Sequence, residues 1–305
     1  MKMKVRREVL RSVHGPVVRQ PHGVYAIRYA GMGDVRQVEQ WYRMNRAENK
    51  DEWLEAMKMR AIPSLNCGYA DNDGNIGYLY NALIPVREPG YDWEQYLPGD
   101  TSETLWSEVV PFEELPQVFN PPSGFIQNCN SSPFQTTAGA GNPDAAEYPA
   151  WMGIESHMTN RALRALQLLG ADDSITWDEF IAYKFDMNYS GEALVARLVA
   201  RMLEAPAPED ELTREALAVL KEWDYGTDPE NRGTALGVMT ALPHHNNNGQ
   251  VPDAAKLFES LRAAAESLKK VHGRVDVPWR EVNRLQRGTL DLGIGGGPDI
   301  LHAVS

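Results

Sequence analysis

The chain has 305 residues, 43% of them apolar, enough for one large core or two modest ones without help from disulfides. Its formal net charge of −12 and isoelectric point near 5.1 repel phosphate backbones, which argues against nucleic acid as a partner. Two separated cysteines, Cys67 and Cys129, make neither a disulfide framework nor a thiolate metal site, and no stretch approaches the roughly 20 apolar residues of a membrane span.

The first residues, Met1-Lys2-Met3-Lys4-Val5-Arg6-Arg7, are basic, but no apolar run follows them. They do not form a secretory signal, so the chain as encoded is expected in the cytoplasm. From Val9 to Ala30, short extended runs at Val17-Val18 and Tyr25-Ala26-Ile27 are broken by Gly-Pro and Pro-His-Gly, the pattern of a small sheet. Between Val35 and Arg60 the apolar positions Val38, Trp41, Tyr42, then Trp53, Leu54, Met57, fall at helical spacing, with Asn49 or Asp51 placed to cap the second helix. A β-hairpin is expected around Asp71-Asn72-Asp73-Gly74, because Asn, Asp and Gly accept the positive φ of a tight turn. Residues 85–123 read as a long ordered connection rich in Pro and Gly, and Gly124–Cys129 as one more strand.

Beyond Gly153 the periodicity becomes helical. Helices are predicted over roughly 157–169, 177–185, 190–204, 210–223, 230–241 and 253–271, and Thr176-Trp177-Asp178-Glu179 has the spacing of a capping box. The chain is therefore α+β, with a β-rich part over 1–152 and an α-rich part over 153–305.

Several motifs have plainer readings than their chemistry suggests. Asp71 could begin a calcium loop, but the twelfth position is Ala82, where such a loop needs a bidentate Glu, so a simple turn is expected. Gly295-Gly296-Gly297 lacks the strand, helix and Lys-Ser/Thr of a phosphate loop and reads as flexible; His244-His245 before Asn246-Asn247-Asn248 reads as a solvated loop. The acid pairs Glu113-Glu114 and Asp172-Asp173 read as solvated surface, and the tryptophans at 41, 53, 106, 177, 223 and 279 as core or groove wall. Asn130 stands out. An Asn after a strand can present an amide donor to an oxyanion, although Asn before Ser-Ser-Pro is also ordinary turn chemistry.

A collinear run of motifs adds to this. It comprises Ser12-Val13-His14-Gly15-Pro16, Asn66-Cys67-Gly68-Tyr69-Ala70-Asp71 with Gly74-Asn75-Ile76-Gly77-Tyr78, and Pro111-Phe112-Glu113-Glu114-Leu115-Pro116. It continues through Asn120-Pro121-Pro122-Ser123-Gly124-Phe125-Ile126-Gln127-Asn128-Cys129-Asn130-Ser131-Ser132-Pro133 and Met158-Thr159-Asn160-Arg161, and more loosely through Trp223-Asp224 and Gln286-Arg287-Gly288. Together these resemble the β-subunit of the penicillin acylase family, with Phe134–Pro149 and Met-Thr-Asn-Arg nearer to the acyl-homoserine lactone and aculeacin acylase branch.

The resemblance implies an N-terminal nucleophile hydrolase fold, with stacked antiparallel sheets between helical layers. It implies an amidohydrolase of linear amides, such as the acyl groups of β-lactams, acyl-homoserine lactones or lipopeptides, acting through an N-terminal Ser whose α-amino group is the base. By motif position Asn130 is the side-chain oxyanion donor and Arg161 orients it. No cofactor is needed for the chemistry; the family brings a structural calcium, for which no ligands are matched here. The chain opens with Met1-Lys2 rather than Ser and shows no Gly-Ser or Cys-Ser junction, so it is expected to be a partial β-subunit truncated at both ends. Its partners would then be the missing α-subunit and N-terminal β-segment, together with a small acyl amide. The family is usually periplasmic or secreted, in contrast to the chain as encoded. An isolated piece is expected to be inactive and, with unpaired strand edges, poorly soluble. Half of a split enzyme, or a non-catalytic remnant serving as a binding or structural module, are the rival readings.

Overall fold

Residues 8–245 and 249–302 are described by a computed structural model. The basic residues 1–7, Asn246-Asn247-Asn248 and the C-terminal residues 303–305 lie outside the described residues. The chain forms two units: the first runs to Asn128 and includes Ser132–Ser156, and the second takes in Cys129–Ser131 and continues from His157.

In the first unit, β1 (Leu10–Arg11), β2 (Pro16–Gln20) and β3 (Gly23–Ala26) form a small antiparallel sheet in the order expected from the Val-Val and Tyr-Ala-Ile runs. Two helices follow, α1 (Gln37–Arg46) and α2 (Lys50–Met57). Asn49 is the cap of α2, its side chain accepting from the Glu52 N–H at 3.0 Å. The hairpin then pairs β4 (Ser64–Ala70) with β5 (Ile76–Ala82) over seven residues, Ser64 opposite Ala82 and Ala70 opposite Ile76.

Asp71 closes that hairpin with both carboxylate oxygens. Oδ1 accepts from the N–H groups of Asp73 and Asn75 at 3.0 and 2.9 Å, while Oδ2 accepts from the Tyr69 hydroxyl and the Asn75 carboxamide at 2.9 and 2.8 Å. These bonds commit the carboxylate to the turn. The core of this unit gathers Trp53 and Met57 of α2, Cys67 and Leu79 of the hairpin, and Ile84, Val110, Phe112, Leu115 and Met152.

Two departures from the sequence reading occur here. The connection 85–123 contains a short strand, β6 (Gln117–Phe119), which pairs with β5. Gly124–Cys129 is irregular rather than a strand. Its contacts are single bonds to a neighbouring loop, the Gln127 N–H donating to the Thr136 carbonyl at 2.7 Å and the Gln127 carboxamide nitrogen to the Gln135 carbonyl at 2.6 Å.

The second unit carries the helices: α3 (Asn160–Gly170), α4 (Trp177–Lys184), α5 (Leu194–Leu203), α6 (Glu211–Lys221), α7 (Thr234–Ala241), α8 (Ala254–His272) and α9 (Trp279–Val282). The capping box on α4 is present in full, Thr176 and Glu179 satisfying each other's backbone. The hairpin β7 (Arg284–Arg287) with β8 (Leu290–Gly293) was not anticipated. The α+β class holds, with helices and small antiparallel sheets.

The helical core forms where the predicted 3–4 spacing points inward. Leu257, Leu261, Ala264 and Leu268 of α8 are buried, as are Leu198 and Met202 of α5, Leu220 of α6 and Leu236 of α7. Each large aliphatic side chain contributes on the order of 1.5–3 kcal/mol by leaving water. Trp223 sits among them, its indole N–H donating to the Gly226 carbonyl at 2.9 Å, and the backbone of α7 presses on its ring at Gly233 and Gly237. Of the tryptophans, those at 53, 223 and 279 are buried, whereas Trp41 and Trp177 are exposed.

Two loop expectations also change. His244 is only 1% exposed, its Nε2 lying 2.9 Å from the Ser260 hydroxyl of α8, because a 3-10 turn over Leu242–His244 folds the ring back onto the helix. Gly295-Gly296-Gly297 is a pinned segment. The Gly296 N–H donates to the Thr227 carbonyl at 2.9 Å and its carbonyl accepts from the Trp279 indole at 2.5 Å. A Cβ at Gly295 would meet the Met187 sulfur at 2.9 Å and one at Gly297 the Tyr189 hydroxyl at 3.0 Å, so close approach explains the glycines better than flexibility.

Candidate active site

Both residues singled out in the sequence, Asn130 and Arg161, belong to the second unit and come together there. Asn130 follows Cys129 with φ +57°, a left-handed conformation that Asn tolerates better than most residues. Its support is therefore not a strand end but the start of α3. Thr159, the N-cap of α3, accepts from the Ala162 N–H at 3.2 Å and donates its hydroxyl to the Cys129 carbonyl, also at 3.2 Å. One hydroxyl thus joins the helix start to the peptide that precedes Asn130.

Arg161, at the second position of α3, reaches the side chain of Asn130. Its Nη2 donates to the Asn130 Oδ1 at 3.4 Å, a long contact, while its Nε donates to the Asp299 Oδ1 at 3.1 Å. With its oxygen engaged by a cation, the carboxamide has its donor role on nitrogen. That is the polarity an oxyanion donor requires.

Asp299 is the residue that sequence reasoning missed. It has φ +58° and faces the beginning of α3 from the other end of the chain, its Oδ2 accepting from the Asn160 N–H at 2.6 Å. The Asn160 carboxamide donates to the Asp299 carbonyl at 2.8 Å and to the Asn188 carbonyl at 3.3 Å, while its oxygen accepts from the Ser190 N–H at 2.7 Å. Nothing local in Gly-Pro-Asp-Ile marks this role; only the pairing of Asn160-Arg161 with a distant acid would have found it.

A second ion pair lies further along α3. Arg164 clasps Asp186 with Nε at 2.9 Å and Nη2 at 2.6 Å. Burial pushes the Asp186 carboxyl upward, but the bonds from Arg164 and Asn188 and the Arg164 charge together outweigh it and hold the group below the ordinary carboxylate range. At Cys129, burial is the main influence and raises the thiol, the neighbouring Arg161 charge opposing it and Asp299 adding to it. Burial thus favours the neutral thiol, a poorer nucleophile than the thiolate.

Beside Asp299 a mostly apolar concavity of about 70 Å³ is lined by Asn160, Tyr189, Ala193, Val195 and Val238 among others. Among the described residues no group of three or more His, Cys, Asp or Glu is arranged to hold a metal ion. Nor is any helix among the described residues long and apolar enough to cross a membrane.

The family model for penicillin amidase matches residues 2–305. The chain belongs to the penicillin amidase family. Among curated relatives, penicillin G acylase of Escherichia coli is 30% identical over 71% of this chain and 25% of its own length. Acyl-homoserine lactone acylase PvdQ of Pseudomonas fluorescens strain Pf0-1 is 24% identical over 97% of this chain and 44% of its own length. The chain thus spans between a quarter and less than half of these two relatives. A thermostable penicillin G acylase from Alcaligenes faecalis has a similar solved structure, with a TM-score of 0.62 and 18% identity, covering 89% of this chain and 60% of the solved one. That likeness establishes the penicillin acylase fold for this member.

Proposed function

We propose that this chain supplies the side-chain half of the oxyanion site of an amidohydrolase that cleaves linear amides between an acyl group and an amine. Asn130 is the donor and Arg161 its orienting partner. The nucleophilic Ser, the α-amino base and the second, backbone donor come from polypeptide other than these 305 residues. The observation that carries the reading is the Arg161 contact to the Asn130 oxygen at 3.4 Å, since a carboxamide whose oxygen accepts from a cation donates through its nitrogen.

The names of the relatives suggest penicillin G and acyl-homoserine lactones as first substrates. On this reading the purified chain alone releases no amine from either. Joined to the nucleophile-bearing segments of a related penicillin acylase, it does. Asn130→Ala in the joined protein lowers kcat by about 10²–10³-fold, the cost of deleting one oxyanion donor. Turnover by the isolated chain, or an unchanged kcat in the Asn130→Ala protein, overturns the assignment.

A further inference from the structure

We propose that Asp299 is a positioning residue of this site: its carboxylate fixes the Arg161 guanidinium and, through it, the Asn130 carboxamide. The proposal rests on the reading of Asn130 and Arg161 given above.

Arg161 cannot hold Asn130 by itself. Its side chain has several rotatable bonds whose ordering costs rotamer entropy, and the contact to Asn130 at 3.4 Å is too long to repay that. The pair to Asp299 at 3.1 Å supplies what is missing. The guanidinium is planar, so anchoring Nε to a carboxylate restricts the direction in which Nη2 points.

Asp299 is itself held from several directions. Its second carboxylate oxygen accepts from the Asn160 N–H at 2.6 Å and its carbonyl from the Asn160 carboxamide at 2.8 Å. The Pro298 carbonyl accepts from the Tyr189 hydroxyl at 2.8 Å, and Ile300 is fully buried. These contacts keep a non-glycine residue at φ +58°, a conformation that persists only where the surroundings enforce it.

A plain capping role explains less. Thr159 already caps α3 through the Ala162 N–H, and a neutral carbonyl would serve the Asn160 N–H. What needs a carboxylate is the cation at Arg161. Thr159 holds the peptide that precedes Asn130, and the Asp299–Arg161 relay reaches its side chain.

Asp299→Asn is the informative variant, because Asn keeps the size and the tolerance for a left-handed backbone while removing the charge. In the 305-residue chain, ¹⁵N-resolved spectra are expected to show the Arg161 Nε–H resonance moving in D299N and the Asn130 carboxamide resonances moving with it. An Asn130 signal that stays in place while Arg161 moves overturns the relay. In the joined protein described above, D299N is expected to lower kcat by about 10–100-fold with KM within about twofold. The double variant D299N/R161A is expected to be no slower than R161A. Additive losses would mean that Asp299 acts only through folding and would overturn the proposal. Should the joined wild-type protein hydrolyse no amide, the proposed function falls, and the two sets of resonances alone decide the role of Asp299.

Discussion

Asn160 and Asp299 close on each other twice, the Asn160 N–H donating to the Asp299 carboxylate at 2.6 Å and the Asn160 carboxamide to the Asp299 carbonyl at 2.8 Å. The same carboxamide also binds the backbone at Asn188 and Ser190, so one buried side chain ties three segments of the second unit. Asn160→Ala leaves buried backbone groups without partners and is expected to cost about 2–4 kcal/mol, read as a lower urea midpoint. Asn160→Asp is expected to be at least as damaging, since it faces a carboxylate oxygen toward two carbonyls that need a donor. A loss under about 0.5 kcal/mol in either variant would show that these bonds do not organise the site.

Gly237, in the interior of α7, is a packing residue. A Cβ there would lie 2.1 Å from the Trp223 ring. Ala is a better helix former than Gly by about 1 kcal/mol, but the ring cannot move without disturbing a buried cluster, and overpacking costs about 1–3 kcal/mol or more. Gly237→Ala is expected to destabilise, and combining it with Trp223→Leu should recover part of the loss relative to the sum of the two. Thermal unfolding of the two single variants and the double tests this; a stabilised Gly237→Ala chain would contradict the contact.

His244 makes the fold sensitive to acid. Burial first, and the nearby Lys256 charge second, pull its pKa below the ordinary value of 6.5, and the buried Nδ1 has no partner among the described residues. As pH falls below 6.5, the unfolded chain takes up a proton that the folded chain resists. The contribution of this residue is therefore complete above that value and is lost as pH drops toward the folded one. Urea midpoints measured between about pH 5 and 7.5 are expected to fall with acidity, and to fall less steeply in His244→Gln. Identical slopes in the two proteins would remove His244 as the cause.

Much of the second unit was legible because its signals are local. The spacing of Leu257, Leu261, Ala264 and Leu268 places them on one face of α8, and Thr176 with Glu179 satisfies the α4 terminus within one turn. The Asp71 turn is legible for the same reason, its partners lying within four residues. β6 was hidden because three residues between prolines carry no alternation, and Gly124–Cys129 was misread because apolar content does not say whether a pairing strand lies alongside. His244 looked solvated because the polar residues after it dominate the local composition, whereas its burial depends on Ser260, 16 residues away.

The sequence by itself determined the helices, the hairpin turn and the family, and singled out Asn130 and Arg161 as the proposed site, because each is written in short-range periodicity or in an ordered series of motifs. The tertiary structure alone decided how those two are held. Asn130 rests on the start of α3 instead of on a strand, and Arg161 is braced by Asp299, 138 residues further on. A hydrogen bond between such distant groups leaves no spacing to read, since only folding brings the donor and the carboxylate to about 3 Å.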